Sequence, residues 1–284
     1  MILVTGASGY IGGRALDLLA RQGRDAAGLV RSPQRAGALP RGTPARIADY
    51  DDPESLRRAF EGVSTLLFIA SDGDGRDVMR HHANVIEAAA TRHVPTIIFT
   101  SIIDVDAASP FYYAPVYRDS ERRLRKSATR WTILRCGLYA DFVLEHWIRP
   151  ALVSGMLALP VGVGRIAPVA RSDVARAVAA VAASPNAHAG STYELTGPEP
   201  LSFSDVARAT GAAFGRALDY APCSPADYLH RAWTELDDPW PFAFSTLCRS
   251  IEEGRYRRTT EAFERLTGQT PMRFETFIRN AAAA

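Results

Sequence analysis

The chain has 284 residues, 47% of them hydrophobic and 23% charged, enough length and apolar content to bury the core of one large α/β domain or of a domain with a smaller lobe. Its 33 basic and 31 acidic residues are spread along the sequence and leave a net charge of +2, which provides no electrostatic footprint for nucleic acid. Cys136, Cys223 and Cys248 are far apart, form no Cys-x-x-Cys pair and leave an odd count, which argues against a disulfide framework or a structural zinc site and for a reducing cytoplasm.

From its start the sequence runs Met-Ile-Leu-Val into a glycine-rich turn, with no basic stretch and no small-residue cleavage site. No apolar run approaches the ~18 residues of a spanning helix, so neither secretion nor a membrane partner is expected. Short apolar runs that alternate with amphipathic stretches predict strands at Ile2 to Thr5, Ala26 to Val30, Ala45 to Ala48, Thr65 to Ala70, Thr96 to Thr100 and Trp131 to Arg135. In Asp51-Asp52-Pro53-Glu54 an aspartate can cap a helix whose first turn holds the proline and whose positive end faces the glutamate. Val78, Val85, Ile86 and Ala89 recur at helical spacing and predict a helix from about Arg76 to His93 with one face on the sheet. Beyond about residue 140 the alternation loosens. Ser172 reads as the cap of a helix to about Ala183, a strand follows from Ser191 to Leu195, and Ser202 to Asp205 reads as a capping box. Residues Ala281 to Ala284 read as a frayed end.

The chemistry enters at the first turn. Gly6, Ala7, Ser8, Gly9, Tyr10, Ile11 and Gly12 follow a strand and open a helix, with glycines at every third position. Gly6 permits the tight turn, Gly9 lets backbone approach a pyrophosphate and Gly12 permits close packing of the helix, whose positive end then faces the phosphates. This is the fingerprint of a dinucleotide site. About 20 residues after the last of these glycines, where an NAD-specific site carries an acid for the ribose 2′-hydroxyl, the sequence has Arg31. Arg35 lies one helical turn further on, and no Asp or Glu occurs between Ala26 and Ala48. A 2′-phosphate would be repelled by a carboxylate and held by a guanidinium fork, so NADP(H) is the expected cofactor. The fold predicted is α/β, a Rossmann-type doubly wound parallel sheet with a smaller C-terminal substrate lobe. Residues 1–140 are its NADP(H)-binding core and 141–284 a mixed α/β lobe of the same folding unit.

With Thr5 to Gly12, Val30-Arg31, Ala48-Asp49-Tyr50-Asp51, Phe68-Ile69-Ala70-Ser71 and Thr100-Ser101 assembled, the chain resembles the atypical short-chain dehydrogenases called NmrA-like, nearest to their NAD(P)H:quinone oxidoreductase branch. The resemblance extends through Ile133 to Tyr139, Val169 to Ala175 and Tyr193 to Pro198. It implies that Asp49 and Tyr50 lie near the adenine, that Ile69, Ala70 and Ser71 line the dinucleotide path, and that Gly137 to Phe142, Tyr139 among them, flank the nicotinamide. Asp49 also suits local turn chemistry, and Arg171 with Asp173 reads either as a helix-start ion pair or as a ligand contact.

Most short-chain dehydrogenases use a Tyr-x-x-x-Lys pair, in which the ammonium lowers the phenol's pKa. Here Tyr117 is followed by Glu121, Tyr113 by Tyr117 and Tyr112 by Val116, and Lys126 is the sole lysine. Alcohol oxidation is therefore disfavoured. Reduction of a quinone demands less, because the acceptor is already electrophilic and positioning can suffice. Tyr117, Tyr112 and Ser101 are candidates to hydrogen-bond the acceptor oxygen, or are packing residues. Tyr139, Phe142, Trp147, Trp233, Trp240, Phe242 and Phe244 serve either as core or as walls of a cleft for a flat aromatic substrate. The six histidines lack ligand spacing, so no metal is expected. The reading is a cytoplasmic NADPH-dependent reductase of a quinone or similarly activated carbonyl or enone, compatible with a homodimer. A non-catalytic NADP(H) sensor, or an isomerase or lyase on the same fold, is the alternative.

Overall fold

The structure, a computed structural model, describes every residue from Met1 to Ala284. Aliphatic runs form β1 (Ile2–Val4), β2 (Ala26–Val30), β3 (Ala45–Ile47), β4 (Thr65–Phe68), β5 (Thr96–Ile102) and β6 (Arg130–Cys136). Between them lie α1 (Tyr10–Arg21), α2 (Pro53–Ala59), α3 (Gly75–Thr91) and α4 (Ala114–Lys126). Next come α5 (Ala140–Phe142), which runs through a π-helical turn (Val143–Ile148) into α6 (Arg149–Ser154), then β7 (Met156–Leu159), β8 (Arg165–Ile166), α7 (Arg171–Ala183), β9 (Ser191–Leu195), β10 (Leu201–Ser202), α8 (Phe203–Phe214) and β11 (Asp219–Pro222). The chain ends in α9 (Pro225–Glu235), α10 (Trp240–Glu252), α11 (Ala262–Thr267) and α12 (Phe274–Ala283).

Seven strands form one sheet in the order β3-β2-β1-β4-β5-β6-β9. The pairings of β1 with β2 and β4, of β2 with β3 and of β4 with β5 are parallel, with Ile2 opposite both Ala26 and Thr65. Strand order reverses between β1 and β4, and the crevice beyond their carboxyl ends is where open α/β sheets take their ligands. Phe60, Leu66, Phe68, Val85, Ile97 and Phe99 anchor the core around this sheet, each large side chain contributing roughly 1.5–3 kcal/mol on burial.

Contacts divide the chain into two units. One comprises Met1–Ile102, Val116–Arg135 and Ser172–Tyr193, the other Ile103–Pro115, Cys136–Arg171 and Glu194–Ala284. The units interleave along the sequence, a finer division than the linear cut at residue 140 expected from the pattern. The second unit carries two small sheets, antiparallel β10-β8 and parallel β11-β7.

Helix ends follow the expected chemistry where the signal is local. Asp52 accepts from the N–H groups of Glu54 and Ser55 at 3.0 and 3.1 Å, and Ser202 with Asp205 closes a reciprocal capping box. Three ends differ. Strand β4 stops at Phe68, so Ile69 and Ala70 form the loop after it; the Ala70 N–H donates to Thr100 Oγ1 at 2.9 Å. Helix α7 begins at Arg171, because the Arg171 N–H donates to Asp141 Oδ2 at 2.8 Å, which places Ser172 inside the first turn. Helix α12 continues to Ala283 rather than fraying at 281, since alanine is the best helix former and Phe274 and Ile278 are buried beneath it.

Candidate dinucleotide site and acceptor wall

The turn after β1 is built around Gly6. Its φ of +58° lies in the left-handed region, and its carbonyl accepts from the Gly9 N–H at 2.9 Å. A side chain at Gly12 would drive its Cβ into that same Gly6 carbonyl, so α1 can lie this close to the turn only with glycine there. Gly9 caps α1 with no side-chain hydrogen bond and no acidic residue follows in the first turn. The free amides at the positive end of a 12-residue helix are therefore left for an external anion. Ala7, Ile11 and Gly12 are buried and Ser8, Gly9 and Tyr10 exposed, so the loop is rooted in the core and open at its tip. These residues fit a pyrophosphate.

The loop after β4 flanks this turn. Thr5 Oγ1 donates to the Ile69 carbonyl at 3.1 Å, and a Cβ at Gly6 would lie 3.2 Å from that of Ile69. Ser71 follows, with its hydroxyl oxygen buried and without a protein partner, an atom that suits a polar ligand.

At the far end of β2, Arg31 is 70% exposed and its Nε lies 3.8 Å from Asp49 Oδ2. Arg35 is exposed on a short 3₁₀ helix, Pro33–Ala38, and no carboxylate pairs with it. Asp49 does the turn chemistry its sequence suggested, accepting the Asp51 N–H on Oδ1 at 3.0 Å, while its other oxygen faces Arg31. Tyr50 packs edge-on against His81, and its carbonyl accepts from Asn84 Nδ2 at 2.8 Å. Burial raises the Tyr50 pKa, against the lowering influence of nearby Thr5 and Gly6 and of the Arg31 charge, which places this phenol beside the glycine turn. Arg80 and His81 of α3 hold Asp51 at 2.8 and 3.2 Å, and Arg80 first, then His81, keep its carboxyl below the usual range.

Ser101 and Tyr117 stand where a proton-transfer pair would be sought. Ser101 is buried and donates its hydroxyl to Glu121 Oε1 at 2.8 Å. Glu121 also accepts both Nε and Nη2 of Arg135, at 2.9 and 2.7 Å, and Nη2 of Arg125 at 3.1 Å. The position four residues after Tyr117 thus carries a carboxylate locked by two guanidiniums. The Tyr117 ring stacks on Phe99 and meets His82 edge-on, at centroid distances of 6.2 and 5.6 Å. Neither the bidentate Arg135 clamp nor the role of Glu121 was legible in the sequence, because the partners come from different elements.

In the second unit, Gly137 donates its N–H to the Leu195 carbonyl at 2.8 Å, and a Cβ there would stand 3.1 Å from that oxygen. Tyr139 bridges to Val169 in parallel fashion, and the Arg171 guanidinium lies 5.5 Å over its ring. An aromatic wall follows. Phe142 meets Trp147 and Phe244 edge-on at 5.1 and 4.9 Å, Phe244 tilts against Trp240 at 5.6 Å, and Trp240 reaches Tyr113 at 6.3 Å. Tyr112 joins Tyr113 to Phe242, which is 51% exposed. These rings have both buried and exposed members, as a wall for a flat ligand requires.

A seven-stranded sheet with a glycine turn at its switch point defines a Rossmann-type dinucleotide-binding protein. Residues 6–185 match the family model described as NAD(P)H-binding. The chain is 34% identical to quinone oxidoreductase 2 of Escherichia coli K12, over 80% of this chain and 79% of that protein. It is 26% identical to the NAD(P)H azoreductase of Xenophilus azovorans over 100% and 99% of the two. Among solved structures it matches E. coli NADPH-dependent quinone oxidoreductase QOR2 complexed with NADPH, at a TM-score of 0.92 and 29% identity, with 99% of each chain covered. The chain belongs to this NAD(P)H-binding family and is a relative of quinone oxidoreductase 2 within it. It is an NAD(P)H-dependent oxidoreductase. No helix is long and apolar enough to cross a membrane.

Proposed function

We propose that the protein is an NADPH-dependent reductase that delivers hydride to a quinone or a similarly activated carbonyl or enone acceptor. The observation that carries this reading is the fate of the Tyr117–Glu121 pair. Alcohol chemistry needs a phenol activated by a cation, whereas this ring is stacked on Phe99 and edge-on to His82 and the neighbouring carboxylate is committed to Arg135, Arg125 and Ser101. An electron-poor conjugated acceptor does not need such activation, since the anion formed is resonance-stabilised and orientation supplies much of the rate. The coenzyme, when bound, would supply the hydride, and the one proton that completes the reduced product would come from water. The amides around Gly9 and the N-terminus of α1 would hold the pyrophosphate, and Arg31 with Arg35 the 2′-phosphate. Asp49 and Tyr50 would face the adenine, Ile69 to Ser71 would line the path, and Gly137 and Tyr139 would flank the nicotinamide. The similarity to proteins named quinone oxidoreductase and NAD(P)H azoreductase supports an acceptor of this kind. Three free cysteines, two of them buried, suit a reducing cytoplasm.

Mixing the protein with NADPH and a panel of quinones, and following the nicotinamide absorbance, tests the reading. Oxidation of NADPH that depends on both protein and quinone is expected. The second reading, a non-catalytic NADP(H) sensor, is favoured by the burial of Ser101 and its commitment to Glu121; tight NADPH binding without turnover of any acceptor would establish it instead.

A further inference from the structure

Several partly buried arginines of this protein are engaged by its own acceptors, Arg46 by the Ala59 and Glu61 carbonyls at 2.6 Å and others by carboxylates. Arg135 is clamped to Glu121, Arg176 lies 2.6 Å from Asp173, and Arg255 reaches Glu253 at 2.8 Å and Asp104 at 3.6 Å. Arg171 departs from this pattern. It is half-buried at the start of α7, yet its guanidinium forms neither an ion pair nor a hydrogen bond, and rests 5.5 Å over the Tyr139 ring. The neighbouring acidic groups are engaged: Asp141 caps α7 by accepting the Arg171 main-chain N–H at 2.8 Å, Asp173 pairs with Arg176 at 2.6 Å, and Glu145 pairs with Arg149 at 2.9 Å. The Arg171 guanidinium thus keeps its hydrogen-bond donors unspent within the protein, with the Tyr139 ring as its neighbour. A partly buried arginine whose donors engage no protein group is available to pair with an external anion.

Its surroundings indicate what that partner is. Arg171 stands beside His146, whose ring lies 4.7 Å from Phe142 and 5.1 Å from Phe244 and whose nitrogens have no hydrogen-bond partner in the protein. Burial of the ring, then the Arg171 charge, lower the His146 pKa, so the neutral imidazole adds a polar edge without adding charge. Phe142 and Phe244 belong to the aromatic wall. One cation with idle donors, one neutral hydrogen-bonding ring and a wall of aromatic faces occur together in the second unit.

We propose that Arg171, with His146 beside it, recognises an anionic substituent on the acceptor, so that the preferred substrates are flat conjugated molecules carrying a sulfonate, phosphate or carboxylate. This rests on the reductase reading of the same site. A guanidinium fork suits such groups because it donates two parallel hydrogen bonds to their paired oxygens, and the aromatic wall supplies the area that a small anion lacks.

Binding tests the proposal apart from turnover. In the protein loaded with NADP⁺, which has no hydride to give, quenching of tryptophan fluorescence reports binding of 1,2-naphthoquinone and of its 4-sulfonate. The preference for the sulfonate over the uncharged quinone is expected to fall by about tenfold or more in Arg171→Gln, as the loss of a charge-assisted contact entails, and to recover in part in Arg171→Lys. Added salt should erode the wild-type preference in the same direction. In turnover assays the same ratio should shift through KM rather than kcat. Three results would overturn the proposal: a sulfonate preference unchanged in Arg171→Gln, an equal loss for both quinones, or a matching loss of NADPH affinity that would place Arg171 on the coenzyme. Normal sulfonate preference in binding with no turnover by the wild-type protein would instead defeat the reductase reading alone.

Discussion

Arg31, proposed above to hold the 2′-phosphate, is free to do so because so little holds it. At 70% exposure and 3.8 Å from Asp49, it is an ion pair too loose and too wet to resist a better partner. Arg31→Asp should weaken NADPH binding by about 1–3 kcal/mol, the range for hydrogen bonds to charged groups, and leave NADH binding less affected; calorimetry with both coenzymes checks this, and equal losses would refute phosphate recognition at this position. The place of Arg31 at the end of β2 was legible because it depends on distance along the chain from Gly12. Asp173 and Arg171 were not, since the sequence offers two partners for Asp173. The i,i+3 geometry of a helix brings Arg176 to its carboxylate at 2.6 Å and leaves Arg171 alone.

Among the elements, α3 shows how burial sets a proton equilibrium. His82 lies inside a box formed by Phe68, Phe99 and Tyr117. Ser120 gives its only hydroxyl hydrogen to the Val116 carbonyl at 2.8 Å, so His82 Nδ1–H must donate to Ser120 Oγ, also 2.8 Å away, and Nε2 is left bare with no partner. Burial, then the His81 charge, push the His82 pKa down to about 3. The unfolded chain takes up this proton near pH 6.5 and the folded one does not, so stability is complete above that pH and declines as pH falls toward 3. The slope from this group is at most about 1.4 kcal/mol per pH unit. Urea unfolding between pH 4 and pH 7 should show that the decline is shallower in His82→Phe; an unaltered slope would mean that other groups carry it. Regular elements were readable because the apolar period is a local property of the chain. The strand end at Phe68 and the α7 start at Arg171 depend on Thr100 and Asp141, residues about 30 positions away, and no local pattern announces them.

For the molecule as a whole, the division of the chain was the least legible feature. Segments 103–115 and 172–193 each belong with residues far from them in sequence, and composition does not change at their borders. Most of the residues proposed to hold the coenzyme, the glycine turn, Arg31, Asp49 and Ser71 among them, fall in one unit. Because a ligand stabilises whatever state binds it, NADPH at about 100 times its dissociation constant should stabilise that unit by roughly 2.7 kcal/mol. A thermal unfolding scan should show a larger rise with NADPH than with equimolar NADH; equal rises would remove the case for discrimination at Arg31.

The single wide turn at Val143–Ile148 leaves room for change over evolutionary time. Such turns arise when one residue is inserted into an ordinary helix, and each residue rotates the downstream helix by about 100° around its axis. Loss of one residue there would re-aim Glu145, His146 and Trp147 relative to Phe142 in a single step. The turn after β1 and its glycines would be untouched, so a lineage could exchange the molecules it reduces while keeping its source of electrons.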